Sequence, residues 1–174
     1  MEHRLRHPSN NPRGFTLVEM TMAMLILAIT TVIALDSVSH ADAGLRAERA
    51  AREAVALVRF ARARAMTDST TYKVRFNVGA KTISVIDPNN GNAVMAGPLA
   101  GGTMQISLSN SEISGVTMSP SLAGAASDPY DVTFSSLGGT GNSGTITFTY
   151  GSVTKTLQVP SVGDPILVGD SRKP

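Results

Sequence analysis

The chain has 174 residues, 42% of them hydrophobic and 5% aromatic, with no tryptophan and no cysteine, which suits one small domain plus an anchor. The lack of cysteine excludes a disulfide framework, thiol chemistry and a cysteine-based metal site, and the three histidines are too scattered to gather a metal. The formal net charge of +2 misleads, because Arg4, Arg6 and Arg13 all precede Gly14, with Glu2 as their only acidic neighbour; without residues 1–14 the chain holds 12 basic and 12 acidic side chains.

In chain order, residues 1–14 come first. Pro8 and Pro12, with Ser9, Asn10 and Asn11, oppose a helix there. Phe15 to Leu35 is then a run of 21 residues with one charge, Glu19. At ~1.5 Å per residue such a helix reaches ~30 Å, one hydrocarbon core. The arginines before it hold that flank in the cytoplasm and send the C-terminal part across. A carboxylate within the run calls for a partner, since insertion scales put Asp, Lys and Arg at roughly +2.5 to +3.5 kcal/mol at mid-membrane. A secretory signal peptide would be cut after the apolar core, where Ser37 and Ser39 or Ala41 and Ala43 supply small residues. That reading leaves Glu19 unexplained; a plain single-span anchor is the other alternative, and a carboxylate that snorkels to the membrane face is the simpler reading of Glu19.

From Phe15 to about Met66 there is no proline and one glycine, Gly44, which predicts one long helix. Its second part carries Ala47, Ala51, Ala54, Val58, Ala61 and Ala65 at alternating spacings of four and three, a single face of small residues widened by Leu57 and Phe60. Arg46, Glu48, Arg49, Arg52, Glu53, Arg59, Arg62 and Arg64 occupy the other faces, with Glu48 and Arg52 at the i, i+4 spacing of an ion pair. An arginine-rich face invites a nucleic-acid reading, but no aromatic side chain interleaves it to stack on bases. A solvated face that also meets neighbouring subunits is the better expectation.

Beyond the helix, residues 70–78 alternate, with Tyr72, Val74, Phe76 and Val78 on one side; with 82–86 they predict a hairpin whose Ile83 and Val85 point to a core. Asp87 to Asn92 reads as turns, 103–108 as a strand, and 109–129 has no clear regular element. Tyr130 to Phe134 is a further strand. Residues 145–150 and 153–159 form a second hairpin around Gly151, with Ile146, Phe148, Tyr150, Leu157 and Val159 inward, and 166–168 adds a short tail strand. The glycine cluster of 138–144 is a weak phosphate-cradle pattern, since no Lys-Ser/Thr and no helix follow it. No set of residues is spaced for catalysis, and no cofactor is expected.

Gly14-Phe15-Thr16-Leu17-Val18-Glu19 followed by an apolar helix resembles the signal of type IV prepilins and type II secretion pseudopilins. The resemblance implies cleavage between Gly14 and Phe15 by a prepilin peptidase, methylation of the new Phe15 amine, and a role for Glu19 in filament assembly as counter-charge to a neighbouring subunit's amine. It implies an α+β, pilin-like fold: a leader at 1–14, a transmembrane and filament-core helix at 15–35, its amphipathic continuation at 36–67, and a periplasmic β-rich domain at 68–174 packed on the helix as antiparallel sheet. Since some major pseudopilins bind calcium near their C-terminal loops, the resemblance also makes Asp128, Asp131, Asp164 and Asp170 candidate calcium ligands, with loop and cap carboxylates as the simpler reading.

The helix end Ala61-Arg62-Ala63-Arg64-Ala65-Met66 leading into Tyr72-Lys73-Val74-Arg75-Phe76, and Val132-Thr133-Phe134 before Gly138, resemble the GspH/FimT branch of minor pseudopilins and minor pilins. DNA-binding members of that branch carry a basic glycine-arginine motif in the tail, where this chain has Gly163-Asp164-Pro165-Ile166-Leu167-Val168-Gly169. Residues 67–174 hold six basic and seven acidic side chains, no electrostatic footprint for phosphate. The expectation is therefore a structural minor pseudopilin of a type II secretion system, near the tip of a periplasmic pseudopilus, and not an enzyme. Its expected partners are the prepilin peptidase, other pseudopilins or pilins, the inner membrane and exported cargo, but not nucleic acid. A FimT-like minor type IV pilin is the alternative; a single-span enzyme or receptor would instead keep the Gly14–Phe15 bond uncut.

Overall fold

The computed structural model describes residues 14–97, 102–124 and 127–168, and within the helix it leaves the side chains of 32–41 and 43 undescribed. Residues 1–13, where the leader is expected, lie outside the described residues. Helix α1 runs over Leu17–Thr67, and the chain divides into two compact units, Met1–Ser39 and His40–Pro174.

In the first unit, the described side chains of α1 other than Glu19 and the threonines are apolar on every side: Leu17, Val18, Met20, Met22, Met24, Leu25, Ile26, Leu27 and Ile29 are all exposed. The threonines in this stretch do not break the pattern. The Thr21 hydroxyl donates to the Val18 carbonyl at 2.8 Å and Thr31 to Leu27 at 2.7 Å, so each polar group is satisfied within the helix. Among the described residues no helix is long and apolar enough to cross a membrane; the apolar run to Leu35 continues into residues whose side chains are not described.

The second unit is built on the small stripe. Ala47, Ala51, Ala54, Val58, Ala61 and Ala65 are fully buried, as is Ala50. Alanine lets the helix axis approach a sheet closely, and the facing side chains fill the space. Residues Ala50 to Ala65 of α1 join Phe76, Phe134 and Phe148 with Val74, Ile83, Ile146 and Leu157 in one core.

Two antiparallel sheets supply those side chains. In the first, β1 (Tyr72–Asn77) lies between β2 (Thr82–Asp87) and β6 (Tyr130–Phe134), while β3 (Ala93–Val94) and β4 (Gln105–Ser107) share the far edge of β2. In the second, the order is β5 (Thr117–Leu122), β7 (Gly144–Tyr150), β8 (Val153–Val159), β9 (Ile166–Val168). The clean alternation of β1, buried at Tyr72, Val74 and Phe76, is the period-two pattern of a strand with one covered face.

The structure adds order where the sequence reads as irregular. Strand β5 lies within 109–129 and carries Pro120 opposite Ile146. It is an edge strand, where the missing N–H of proline costs no ladder bond. Before it, successive turns closed by Ile113 N–H to the Asn110 carbonyl and Val116 N–H to the Ile113 carbonyl bury Leu108, Ile113 and Val116. Pro88–Asn90 forms a short 3-10 helix capped by Asp87, whose carboxylate accepts from the Asn89 N–H at 2.9 Å.

Candidate functional site

The residues singled out for processing and assembly cluster at the start of α1. Gly14, Phe15 and Thr16 are non-helical and exposed, and the helix begins at Leu17. Thr16 is the N-cap: its Oγ1 accepts from the Glu19 N–H at 3.2 Å, and its carbonyl accepts the first helical bond, from the Met20 N–H at 3.2 Å. Glu19 sits in the first turn, where the positive end of the helix dipole favours a carboxylate. Its neighbours Phe15, Leu17, Val18, Met20 and Met22 are exposed apolar side chains, Phe15 at 78% and Leu17 at 81%. A lone acid therefore stands on a helix surface that otherwise offers hydrocarbon. The Thr16-x-x-Glu19 spacing is that of a capping box, the signal that would have identified Thr16 from sequence.

The arginines of the second half of α1 are used within the chain. Arg46 bonds Asp42 at 2.8 Å and stacks 5.5 Å from the Tyr150 ring centre. Arg49 pairs with Glu53 and with Glu112 of the loop before β5, Arg52 with Glu48, and Arg64 with Asp68. Arg62 donates to the Gly138 carbonyl at 2.9 Å and pairs with Asp164, and Arg59 reaches the Pro165 carbonyl at 3.4 Å. Such a face is neutralised by its own chain. It differs from an open basic stripe that would displace counterions from nucleic acid. Arg49 and Arg52 remain largely exposed, while Arg59 and Arg62 hold the approach to β9 and the β6–β7 loop against the helix.

The calcium candidates are likewise spoken for. Asp128 accepts from the Val78 N–H at 2.8 Å and the Gly79 N–H at 2.9 Å, clasping the β1–β2 turn. Asp131 faces Arg75 and Asp164 faces Arg62, while Asp170 lies outside the described residues. No group of three His, Asp or Glu residues that could hold a metal ion occurs among the described residues. The glycine-rich loop offers no free row of amides: Gly138 N–H bonds Ser135, Thr140 N–H bonds Ser161 and Gly141 N–H bonds Thr133. Gly138 adopts φ +77° and lies against Met66, so a side chain there would meet both strain and the Met66 sulfur.

Comparison with known proteins agrees with this geometry. Residues 9–35 match the prokaryotic N-terminal methylation motif. The minor pseudopilin EpsH of the type 2 secretion system of Vibrio cholerae shares the fold at a TM-score of 0.54 and 14% identity, over 71% of this chain and 96% of that one. The type IV minor pilin FimU of Pseudomonas aeruginosa matches at a TM-score of 0.48 and 15% identity, over 70% of this chain and 87% of that one. No curated protein matches in sequence at a significant level. The fold is thus the α+β pilin-like one, an N-terminal helix packed against antiparallel sheets. Residues 50–163, the greater part of the chain, match the model described as type II transport protein GspH, and the chain belongs to that family.

Proposed function

We propose that this chain is a minor pseudopilin of a type II secretion system, a structural subunit and not an enzyme. It is made with a leader that a prepilin peptidase removes between Gly14 and Phe15, and Phe15 is then methylated on its new amine. The apolar first part of α1 sits in the inner membrane, with the N-terminus cytoplasmic and the β-rich domain periplasmic, until the subunit enters a pseudopilus near its tip. There it contacts other pseudopilins and exported cargo.

The observation that carries this reading is the helix start. An α-helix that is apolar all round must be covered by lipid or by other helices. Leu17 to Ile29 present such a surface, with Glu19 as its single charge. A carboxylate and an amine are each costly in hydrocarbon, and their attraction grows as the dielectric falls. A processed Phe15 amine on a neighbouring helix is a complement that Glu19 does not find among the described residues of its own chain. Pairing of the two would set the stagger between helices.

Intact mass of the protein, extracted from membranes with and without the prepilin peptidase, tests the proposal. The expected product lacks residues 1–14 and carries one added methyl group. A chain that keeps its leader, or one cut beyond Leu35, overturns the reading.

A further inference from the structure

We propose that Thr16 is a positioning residue for leader removal: as the N-cap of α1 it halts the helix just short of the scissile bond and keeps the Gly14–Phe15 peptide open to attack. The proposal rests on cleavage at that bond. Hydrolysis adds water across it, the Gly14 carbonyl carbon taking the oxygen and Phe15 leaving as an amine. The attacked carbonyl must be free of helix.

Residues 14–16 are non-helical and exposed, and the first carbonyl to accept a helical bond is that of Thr16. The Thr16 hydroxyl takes the Glu19 N–H, one of the donors that an uncapped helix leaves open. Without that acceptor those donors are left to water or to the carbonyls of residues added at the N-terminal end of the helix. Extension would place the Gly14 carbonyl in a bond with the Val18 N–H, inside the first turn and closed to a nucleophile. The sequence before the bond does not prevent this. Pro12 opposes a helix that runs on through the leader but is compatible with a first helical position, so a helix could grow back to it across Arg13. Gly14 opposes helix through its backbone freedom, and a side-chain cap at Thr16 supplies a second, independent stop.

The test follows processing of the full-length precursor in membranes by the prepilin peptidase, as a time course that gives kcat/KM. Thr16→Val keeps the shape of the side chain and removes the acceptor; Thr16→Ser and Thr16→Asn keep an acceptor with different shapes. The expected result is a several-fold slower cut for Thr16→Val and rates close to the unaltered chain for both Thr16→Ser and Thr16→Asn. Equal rates for Thr16→Val and the unaltered chain overturn the proposal. So does a Thr16→Asn precursor as slow as Thr16→Val, which would mean that the peptidase reads the threonine itself. If the unaltered precursor is not cut between Gly14 and Phe15, the processing reading fails instead, and the two failures are distinct.

Discussion

Arg75 and Asp131 stand directly opposite each other on β1 and β6, and the guanidinium meets the carboxylate edge to edge, Nε to Oδ1 at 2.8 Å and Nη2 to Oδ2 at 2.9 Å. Both side chains are about two-thirds covered, and the hydrogen bond to Asp131 holds the Arg75 pKa above its usual value against the opposing effect of burial. The pair joins segments 56 residues apart in sequence. Arg75→Ala and Asp131→Ala should each lower stability by about 1–2 kcal/mol, in the range of hydrogen bonds to charged groups after screening. The double variant should cost less than the sum of the two, because the second removal deletes no remaining pair. Chemical unfolding of the full chain in detergent measures this, and strict additivity would show that the pair contributes nothing.

The alanine stripe makes a different kind of prediction. Ala54 is fully buried between α1 and the sheets, in one core with Phe76, Phe134 and Phe148. Ala54→Leu would force a larger side chain into filled space and should destabilise by about 1–3 kcal/mol or more. Leu45→Ala, on the exposed face of the same helix, should stay within about 0.5 kcal/mol. Similar melting temperatures for the two variants would mean that the helix does not pack as closely as the structure places it.

Much of this architecture is legible in the sequence because periodicity is strong where a single face is covered. The stripe from Ala47 to Ala65 and the alternation of Tyr72, Val74 and Phe76 each announce their element and its buried side. Strand β5 is hidden for a physical reason. Its exposed face is Thr117, Ser119 and Ser121, and Pro120 occupies a position that a central strand could not tolerate, so only the edge location explains it. Leu108, Ile113 and Val116 are buried by turns, and turns impose no period. The roles of Arg62 and Asp128 depend on partners 76 and 50 residues away, which no local pattern encodes. Gly14, Phe15 and Glu19 stand out in sequence through motif and charge, whereas for Thr16 the sequence offers only the capping-box spacing to Glu19, and the hydrogen bond from the Glu19 N–H shows the cap.

Tyr72 gives the domain a pH dependence of definite sign. Its pKa is raised above 10.0, first by burial and then by the hydrogen bond its hydroxyl donates to Asp68 at 2.8 Å. A raised folded-state value means that the folded protein holds the phenol proton more tightly than the unfolded chain does. The stabilisation is therefore complete below the unfolded value of about 10 and is lost as pH rises through the folded one. Tyr72→Phe removes the hydrogen bond and should cost about 0.5–1.5 kcal/mol at neutral pH. The stability gap between the unaltered chain and Tyr72→Phe should then narrow as pH rises from about 10 through the raised folded value. Parallel stability curves across that window would contradict the assignment.

A substitution at Glu19 should separate processing from assembly. Glu19 is the fifth residue after the proposed cut between Gly14 and Phe15, exposed on an apolar helix surface, and its backbone N–H, not its side chain, makes the capping bond to Thr16. Glu19→Gln keeps the size of the side chain and removes its charge, so the cap and the Gly14–Phe15 bond are unaltered, and intact mass should still show leader loss. On the proposed function, what the variant lacks is the counter-charge for a neighbouring amine. An amine brought unpaired into a helix-lined, low-dielectric core has a large desolvation cost, so the subunit should remain in the membrane and fail to enter filaments. Sheared filament fractions compared with membrane fractions read this directly. Incorporation of Glu19→Gln at the unaltered level would show that the charge has no part in assembly, while leaving the cleavage of the leader as a separate question.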